Sequence, residues 1–327
     1  MAGNTLEIRH LSVCFPSRRG EVQAVRDVSL TVPEGGITGI VGESGCGKTM
    51  TARAVMGLIR RPGRMTDGEI WLSGRDVAHL PERERRALRG SEISMVFQEP
   101  MTALNPVMRV GRQVEEAILL HTDLSRQEAA RRATEMLEAV GVPEAERRTR
   151  CYPHQLSGGL RQRVMIAMAM ACRPKLLIAD EPTTALDVTV EAQILRLLKR
   201  LREEGTAVLL ISHNLGVIAQ LCDTVYVMYA GQIVEQAEVR TLYDAPAHPY
   251  TAGLLGAVSS LRQGRAADSL KTIPGTVPDL RSLPAGCAFA PRCPRRGPEC
   301  GMRRPEMTEI APGHAVRCLR TGKEAEA

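Results

Sequence analysis

Residues Gly42 to Thr49 read Gly-Glu-Ser-Gly-Cys-Gly-Lys-Thr, which satisfies the spacing G-x-x-x-x-G-K-[ST]. A loop of this kind can wrap its backbone N–H groups around phosphate oxygens at the positive end of a helix. Gly42, Ser44, Gly45, Cys46 and Gly47 would form the cradle, Lys48 would reach the β and γ phosphates, and the Thr49 hydroxyl would hold Mg²⁺. Only five residues of the chain are Lys against 38 Arg, and one of the five stands here, where a compact charge suits better than a planar fork.

Such a site also needs a carboxylate at the end of a buried strand, and Leu176-Leu177-Ile178-Ala179-Asp180-Glu181 supplies one. Asp180 is placed to hold Mg²⁺ through water. Glu181, one residue on, is placed to polarise an attacking water, so the pair divides metal binding from general-base work. Alone, an acidic pair after an apolar run reads as a solvated turn; beside the glycine loop the catalytic reading prevails. Cys46 lies next to Lys48 at a helix start, an environment that lowers thiol pKa. A reactive thiol protected by MgATP is one expectation there, an inert loop residue the other.

The elements that must position these groups follow from hydrophobic periodicity. Leu6 to Phe15 alternates imperfectly and Val28 to Val32 cleanly, giving N-terminal strands. Ile37 to Val41 is a short apolar strand running into the glycine loop, after which Ala52, Val55, Met56 and Ile59 have helical spacing. Ile93 to Phe97 reads as a strand, and residues 111–141 as two amphipathic helices, the second capped by Ser125 with Glu128 at the capping-box position. Ser157 opens another helix, Leu176 to Ala179 and Ala207 to Ile211 are buried strands, and residues 188–204 form a helix between them. This alternation predicts a parallel sheet covered by helices, with a hairpin around Ala230-Gly231. Near residue 245 the sequence becomes punctuated by Pro and Gly, and a domain boundary is placed there. No internal repeat is visible.

Leu156-Ser157-Gly158-Gly159-Leu160-Arg161-Gln162-Arg163 joins a helix-capping Ser to two glycines, a second anion-binding helix start or an ordinary cap. Together with the glycine loop and the Asp180-Glu181 pair, this segment resembles the ATP-binding subunits of ABC transporters over residues 6–245. The resemblance implies an α/β P-loop NTPase fold: a RecA-like core, an N-terminal antiparallel β subdomain and a helical subdomain over about residues 100–172. It also implies that Gln98 in Val96-Phe97-Gln98-Glu99-Pro100 touches Mg²⁺ and reports to a membrane subunit, and that Asp187 in Ala185-Leu186-Asp187 is the D-loop residue. His213 would contact the γ-phosphate, and Phe15 is the candidate for stacking on adenine. In this family two domains pack head to tail, so the glycine loop of one and Ser157, Gly158 and Gly159 of the other enclose one ATP. The partner would be a second copy or a paralogue. Leu160 stands where many members have Gln, which reads as branch identity.

The last 41 residues hold Cys287, Cys293, Cys300 and Cys318, spaced C-x5-C-x6-C-x17-C. Four thiols can complete a tetrahedral site, although these are not the C-x2-C pairs of common zinc ribbons; an iron–sulfur cluster, zinc, or four unlinked thiols all fit the residues. His248-Pro249-Tyr250-Thr251, Ile273-Pro274-Gly275 and Pro291-Arg292-Cys293 resemble the C-terminal extension of oligopeptide and dipeptide importer ATPases, which places residues 246–327 in such an extension. That resemblance implies a [4Fe-4S] cluster on the four cysteines, structural or redox-sensing, since nothing in the sequence couples it to hydrolysis. His314 is either a stray ligand or, the favoured reading, a surface polar residue.

Composition bounds the rest. The longest apolar run, Val164 to Cys172, is far short of the about 20 residues that span a bilayer, and the N-terminus has no apolar secretory h-region. Nine Cys, an odd number, argue for a reducing compartment. A net charge of +6 does not require nucleic acid, and 3% aromatic residues give little material for base stacking. The resemblance to importer ATPases implies a peripheral ATPase on the cytoplasmic face of the membrane, docked on two permease subunits and served by an extracytoplasmic solute-binding protein. Peptides are the favoured cargo, with nickel, opines or other small solutes as alternatives. The rival classes are a soluble ABC ATPase acting on DNA or ribosomes, a P-loop kinase or GTPase, and a metal-binding regulator.

Overall fold

The computed structural model describes residues 3–18, 20–184, 186–262 and 273–321. Twelve strands are present among them: β1 (Asn4–Ser17), β2 (Gly20–Pro33), β3 (Ile37–Val41), β4 (Arg64–Leu72), β5 (Arg75–Asp76) and β6 (Ile93–Val96), then β7 (Leu176–Asp180), β8 (Ala207–Ile211), β9 (Thr224–Tyr229), β10 (Gln232–Glu238), β11 (Thr308–Ala311) and β12 (His314–Val316). They form an antiparallel sheet in the order β2-β1-β4-β5 and an eight-stranded sheet in the order β11-β12-β10-β9-β3-β8-β7-β6.

The pairs β9–β3, β3–β8, β8–β7 and β7–β6 are parallel. Strands buried on both faces read as unbroken apolar runs, and β3, β7 and β8 are each buried at all five positions. Successive residues nevertheless face opposite layers. Leu177 and Ala179 pack with the helices, while Leu176 and Ile178 pack against the antiparallel sheet. From β3 the chain builds one side of the sheet with β6, β7 and β8 before crossing to β9, so the loop after β3 lies at a topological switch point, where α/β sheets bind ligands.

Helices Val110–Leu119 and Arg126–Ala139 occupy the middle block, and the expected capping box is formed: Glu128 N donates to Ser125 Oγ at 3.3 Å and Ser125 N to Glu128 Oε2 at 2.8 Å. The hairpin is also present. Its two turn residues, Ala230 and Gly231, both have positive φ (46° and 86°), as a two-residue loop of this hand needs. The pair β4–β5 and the short helix Glu82–Leu88 are additional to the sequence reading. Polar residues on both faces of Arg64–Glu69 and an irregular register with β1 leave little period-two signal there.

The compositional change near residue 245 does not coincide with a break in the sheet. β12 pairs with β10 through Glu235↔Val316 and Gln236↔Ala315, covering an edge that would otherwise present unpaired backbone groups. Beneath this join Glu235, fully buried, accepts hydrogen bonds from Ala247 N (2.7 Å) and His248 N (2.9 Å) and pairs with His314 Nε2 at 2.8 Å. His314 is thus a buried partner of Glu235, 5% exposed, and not the surface residue expected.

His248 is 1% exposed, and burial pushes its imidazole down to about 3. Because the folded value lies below the unfolded one of about 6.5, the stability tied to the neutral ring is complete above that pH. It is lost as pH falls toward about 3. We expect the stability gap between the protein and His248→Asn to shrink below pH 6.5, at up to about 1.4 kcal/mol per pH unit. Denaturant unfolding of both at pH 7.5, 6 and 5 checks this, and a constant gap would refute a neutral buried ring.

Candidate nucleotide site

β3 delivers the chain into the glycine loop and then into helix Lys48–Val55. Two glycines are demanded by close approach. A Cβ on Gly42 would stand 2.2 Å from the Met228 carbonyl oxygen, and one on Gly47, at φ 109°, 2.6 Å from that of Ala24. The loop is thereby moulded between β2 and the β9–β10 hairpin, whose Gly231 N donates to Cys46 O at 2.9 Å. Lys48, 6% exposed, folds back over the loop, donating to Gly42 O (2.7 Å) and Glu43 O (3.1 Å).

β7 brings the carboxylates to the same sheet end. Thr49 Oγ1 donates to Asp180 Oδ1 at 3.2 Å. Burial, together with the charge of Glu181, holds the Asp180 carboxyl above its ordinary range, while Thr49, Lys48 and Arg53 pull it down. A buried carboxylate beside a hydroxyl is a set of hard oxygen donors that fits Mg²⁺. Glu181 follows in the left-handed region (φ 49°), with its N–H donating to Ile211 O at 2.9 Å. That conformation turns its side chain to accept at Oε2 from Gln98 Nε2 (3.0 Å) and Thr184 Oγ1 (2.9 Å), with His213 Nδ1 3.1 Å from the same oxygen. Ser44, Gly45, Lys48, Thr49, Gln98 and Glu181 line one cavity of about 270 Å³.

The other expected residues lie elsewhere. Ser157, exposed, caps helix Gly158–Met170 by accepting from Leu160 N at 3.4 Å, and Asp187 caps helix Val188–Glu203 by accepting from Val190 N at 2.9 Å. Ser157, Gly159 and Val190 line a separate cavity of about 670 Å³, which includes neither Lys48 nor Glu181. Within one chain the two glycine segments are therefore not brought together. Phe15, half-buried on β1 opposite Val22, sets its ring against Gly63 and is not among the residues lining the cavity beside Lys48. Cys46 is fully buried, and burial outweighs the pull of Lys48 to push its thiol up, which favours the inert loop residue of the two readings.

In the extension, Cys287 N donates to Cys300 O at 2.8 Å. Burial, with the charges of the other three cysteines, pushes the Cys293 thiol up to about 11, and Cys287 is raised for related reasons. Among the described residues, however, no three His, Cys, Asp or Glu side chains are grouped to hold a single metal ion.

The extension also reaches the nucleotide site. Arg292 donates through both terminal nitrogens to the Glu43 carboxylate, at 2.7 and 3.1 Å, and the Tyr250 hydroxyl accepts from Glu43 N at 2.9 Å. Glu43, Tyr250 and Arg292 were not among the expected site residues. The available signal was their place in motifs already singled out, the glycine loop, His248-Pro249-Tyr250 and Pro291-Arg292-Cys293.

The family model "ABC transporter" matches residues 25–184, and "Oligopeptide/dipeptide transporter, C-terminal region" matches residues 234–300. The chain is 50% identical over 320 residues to the oligopeptide transport ATP-binding protein OppD of Salmonella typhimurium, covering 98% of this chain and 94% of that one. It is 47% identical over 323 residues to the dipeptide transport ATP-binding protein DppD of Bacillus subtilis, covering 98% and 96%. The ADP- and Pi-bound dimer of the ATP-binding cassette MJ0796 superposes with a TM-score of 0.66 at 28% identity, over 72% of this chain and 99% of that one. A glycine loop, a buried Asp followed by a Glu, and a C-terminal extension joined to the same sheet accord with these matches, and the chain belongs to the ATP-hydrolysing, ATP-binding subunits of ABC transporters, in their oligopeptide/dipeptide branch.

Proposed function

We propose that this chain powers uptake of di- or oligopeptides, as a peripheral subunit on the cytoplasmic face of the membrane. Its partners would be a second ATPase subunit, two permeases and an extracytoplasmic solute-binding protein. No helix among the described residues is long and apolar enough to cross a membrane. The observation that carries the dimeric reading is the separation of Lys48 and Ser157 into different cavities. Each chain then offers a phosphate-cradling face and a helix start, and a head-to-tail pair joins one of each around ATP.

In that arrangement the loop N–H groups and Lys48 bind the phosphates, while Thr49, Gln98 and Asp180 would hold Mg²⁺, which supplies neutralisation of phosphate charge. Glu181 Oε2 takes the proton of the attacking water, and Gln98, Thr184 and His213 orient its carboxylate. Phe15 and Asp187 serve adenine stacking and the contact between subunits. Reconstituting the chain with its permeases and binding protein in liposomes tests the cargo. ATP hydrolysis should rise with lumenal binding protein and peptide; stimulation by nickel or an opine instead would reassign it.

Cys287, Cys293, Cys300 and Cys318 are proposed to carry a [4Fe-4S] cluster. The support is the presence of four thiols in the extension, with Cys287 and Cys293 raised in part by the charges of neighbouring cysteines. Anaerobically purified protein should contain roughly four iron and four acid-labile sulfide per chain, lost on Cys293→Ser. Zinc, or iron unchanged by the replacement, would rule this out.

A further inference from the structure

We infer that Arg292 and Tyr250 form an intramolecular brace that sets the conformation of the phosphate loop through Glu43, so that the C-terminal extension tunes nucleotide affinity. Every polar group of Glu43 is engaged. Its carboxylate receives the Arg292 fork, its N–H is taken by the Tyr250 hydroxyl, and its carbonyl accepts from Lys48 Nζ at 3.1 Å. Two of those three restraints come from the extension. Since Glu43 lies between Gly42 and Ser44, fixing its peptide plane and side chain fixes the first turn of the cradle.

The brace is itself held rigidly. Arg292 is 7% exposed, its Nε donates to Pro274 O at 2.9 Å, and its guanidinium lies 5.9 Å from the centre of the Tyr229 ring. Tyr229 packs on Tyr250 at 4.6 Å and edge-on to Phe289 at 5.2 Å. These rings bind the extension to β9, one residue beyond the Met228 carbonyl that approaches Gly42. A bidentate fork on a carboxylate within such packing fixes direction as well as distance, which a lysine in the same place could not do.

Arg292 is thus a positioning residue acting through Glu43, a role that rests on the glycine loop being the nucleotide cradle. The test uses the purified full chain, with MgATP affinity measured by direct titration alongside thermal unfolding. Arg292→Ala and Glu43→Gln should each weaken MgATP binding roughly tenfold, the worth of one charge-assisted hydrogen bond. Arg292→Lys should fall between, and the double variant should be no worse than Arg292→Ala. In the assembled transporter the change should appear in KM with kcat retained. Wild-type affinity in both single variants, or additive losses in the double variant, overturns the brace even if the unfolding temperature drops. Glu43→Gln, which preserves shape, keeps the test decisive if Arg292→Ala fails to fold. Lys48→Ala separates the underlying reading: intact binding there removes the cradle and the brace together, while lost binding beside unaffected Arg292 and Glu43 variants removes the brace alone.

Discussion

Glu181→Gln is expected to lower phosphate release by about 10²–10⁴ while leaving MgATP binding intact, the range over which a positioned general base contributes. The geometry separates the two functions. Phosphate binding is assigned to the loop and Lys48, whereas Glu181 contributes a carboxylate oxygen that accepts from Gln98 and Thr184 and lies beside His213. A Gln amide keeps the size and can keep the bonds from Gln98 and Thr184 through its oxygen, but it cannot take a proton from water. The strained backbone at Glu181 is already offset by the fold, because its N–H is tied to β8 through Ile211 O. The variant should therefore fold normally, bind nucleotide and accumulate with ATP trapped. Steady-state phosphate release alongside equilibrium binding decides the matter; turnover within tenfold of wild type would mean that another group serves as base.

Legibility from sequence followed how locally each feature is determined. β3, β7 and β8 were readable because burial on both faces makes each an almost unbroken apolar run, and the Ser125 capping box because its two bonds span three residues. The Ala230-Gly231 turn was readable because positive φ at two successive positions is a chain-local demand. Cys46 was left between two readings for the opposite reason. Its neighbours in sequence supply charge and a helix start, but its burial is tertiary, with the hairpin's Gly231 N bonded to its carbonyl from 185 residues away. His314 is likewise paired with Glu235, 79 residues away, and Arg292 with Glu43, 249 residues away. Ion pairs at such separations leave no periodic trace; only tertiary structure reveals them. The separation of Ser157 from Lys48 belongs to this class too, since the order of motifs says nothing about which of them share a cavity.

That separation leads to the second large effect. Gly158→Asp should abolish turnover, by about 10² or more, without weakening MgATP binding to the isolated chain. Gly158 is exposed and a Cβ there meets nothing within 4 Å, so the chain itself has no steric objection to a side chain. An acid in the first turn even interacts favourably with the helix dipole, by about 0.3–1 kcal/mol, so the variant should be at least as stable as wild type. Only a second subunit supplies a reason for damage. If the start of helix Gly158–Met170 meets the phosphates held by the partner's glycine loop, the introduced carboxylate would place a negative charge and added bulk where N–H donors must approach an anion. Unchanged monomer affinity combined with lost turnover and lost ATP-driven dimerisation is the signature of a site completed between subunits. Sedimentation of the Glu181→Gln protein with and without Gly158→Asp in MgATP reads the dimer directly, and phosphate release by Gly158→Asp alone reads turnover. Dimers that persist in the double variant, beside turnover retained in the single one, would show that this helix start is an ordinary cap, and that each chain hydrolyses ATP with the residues of its own cavity.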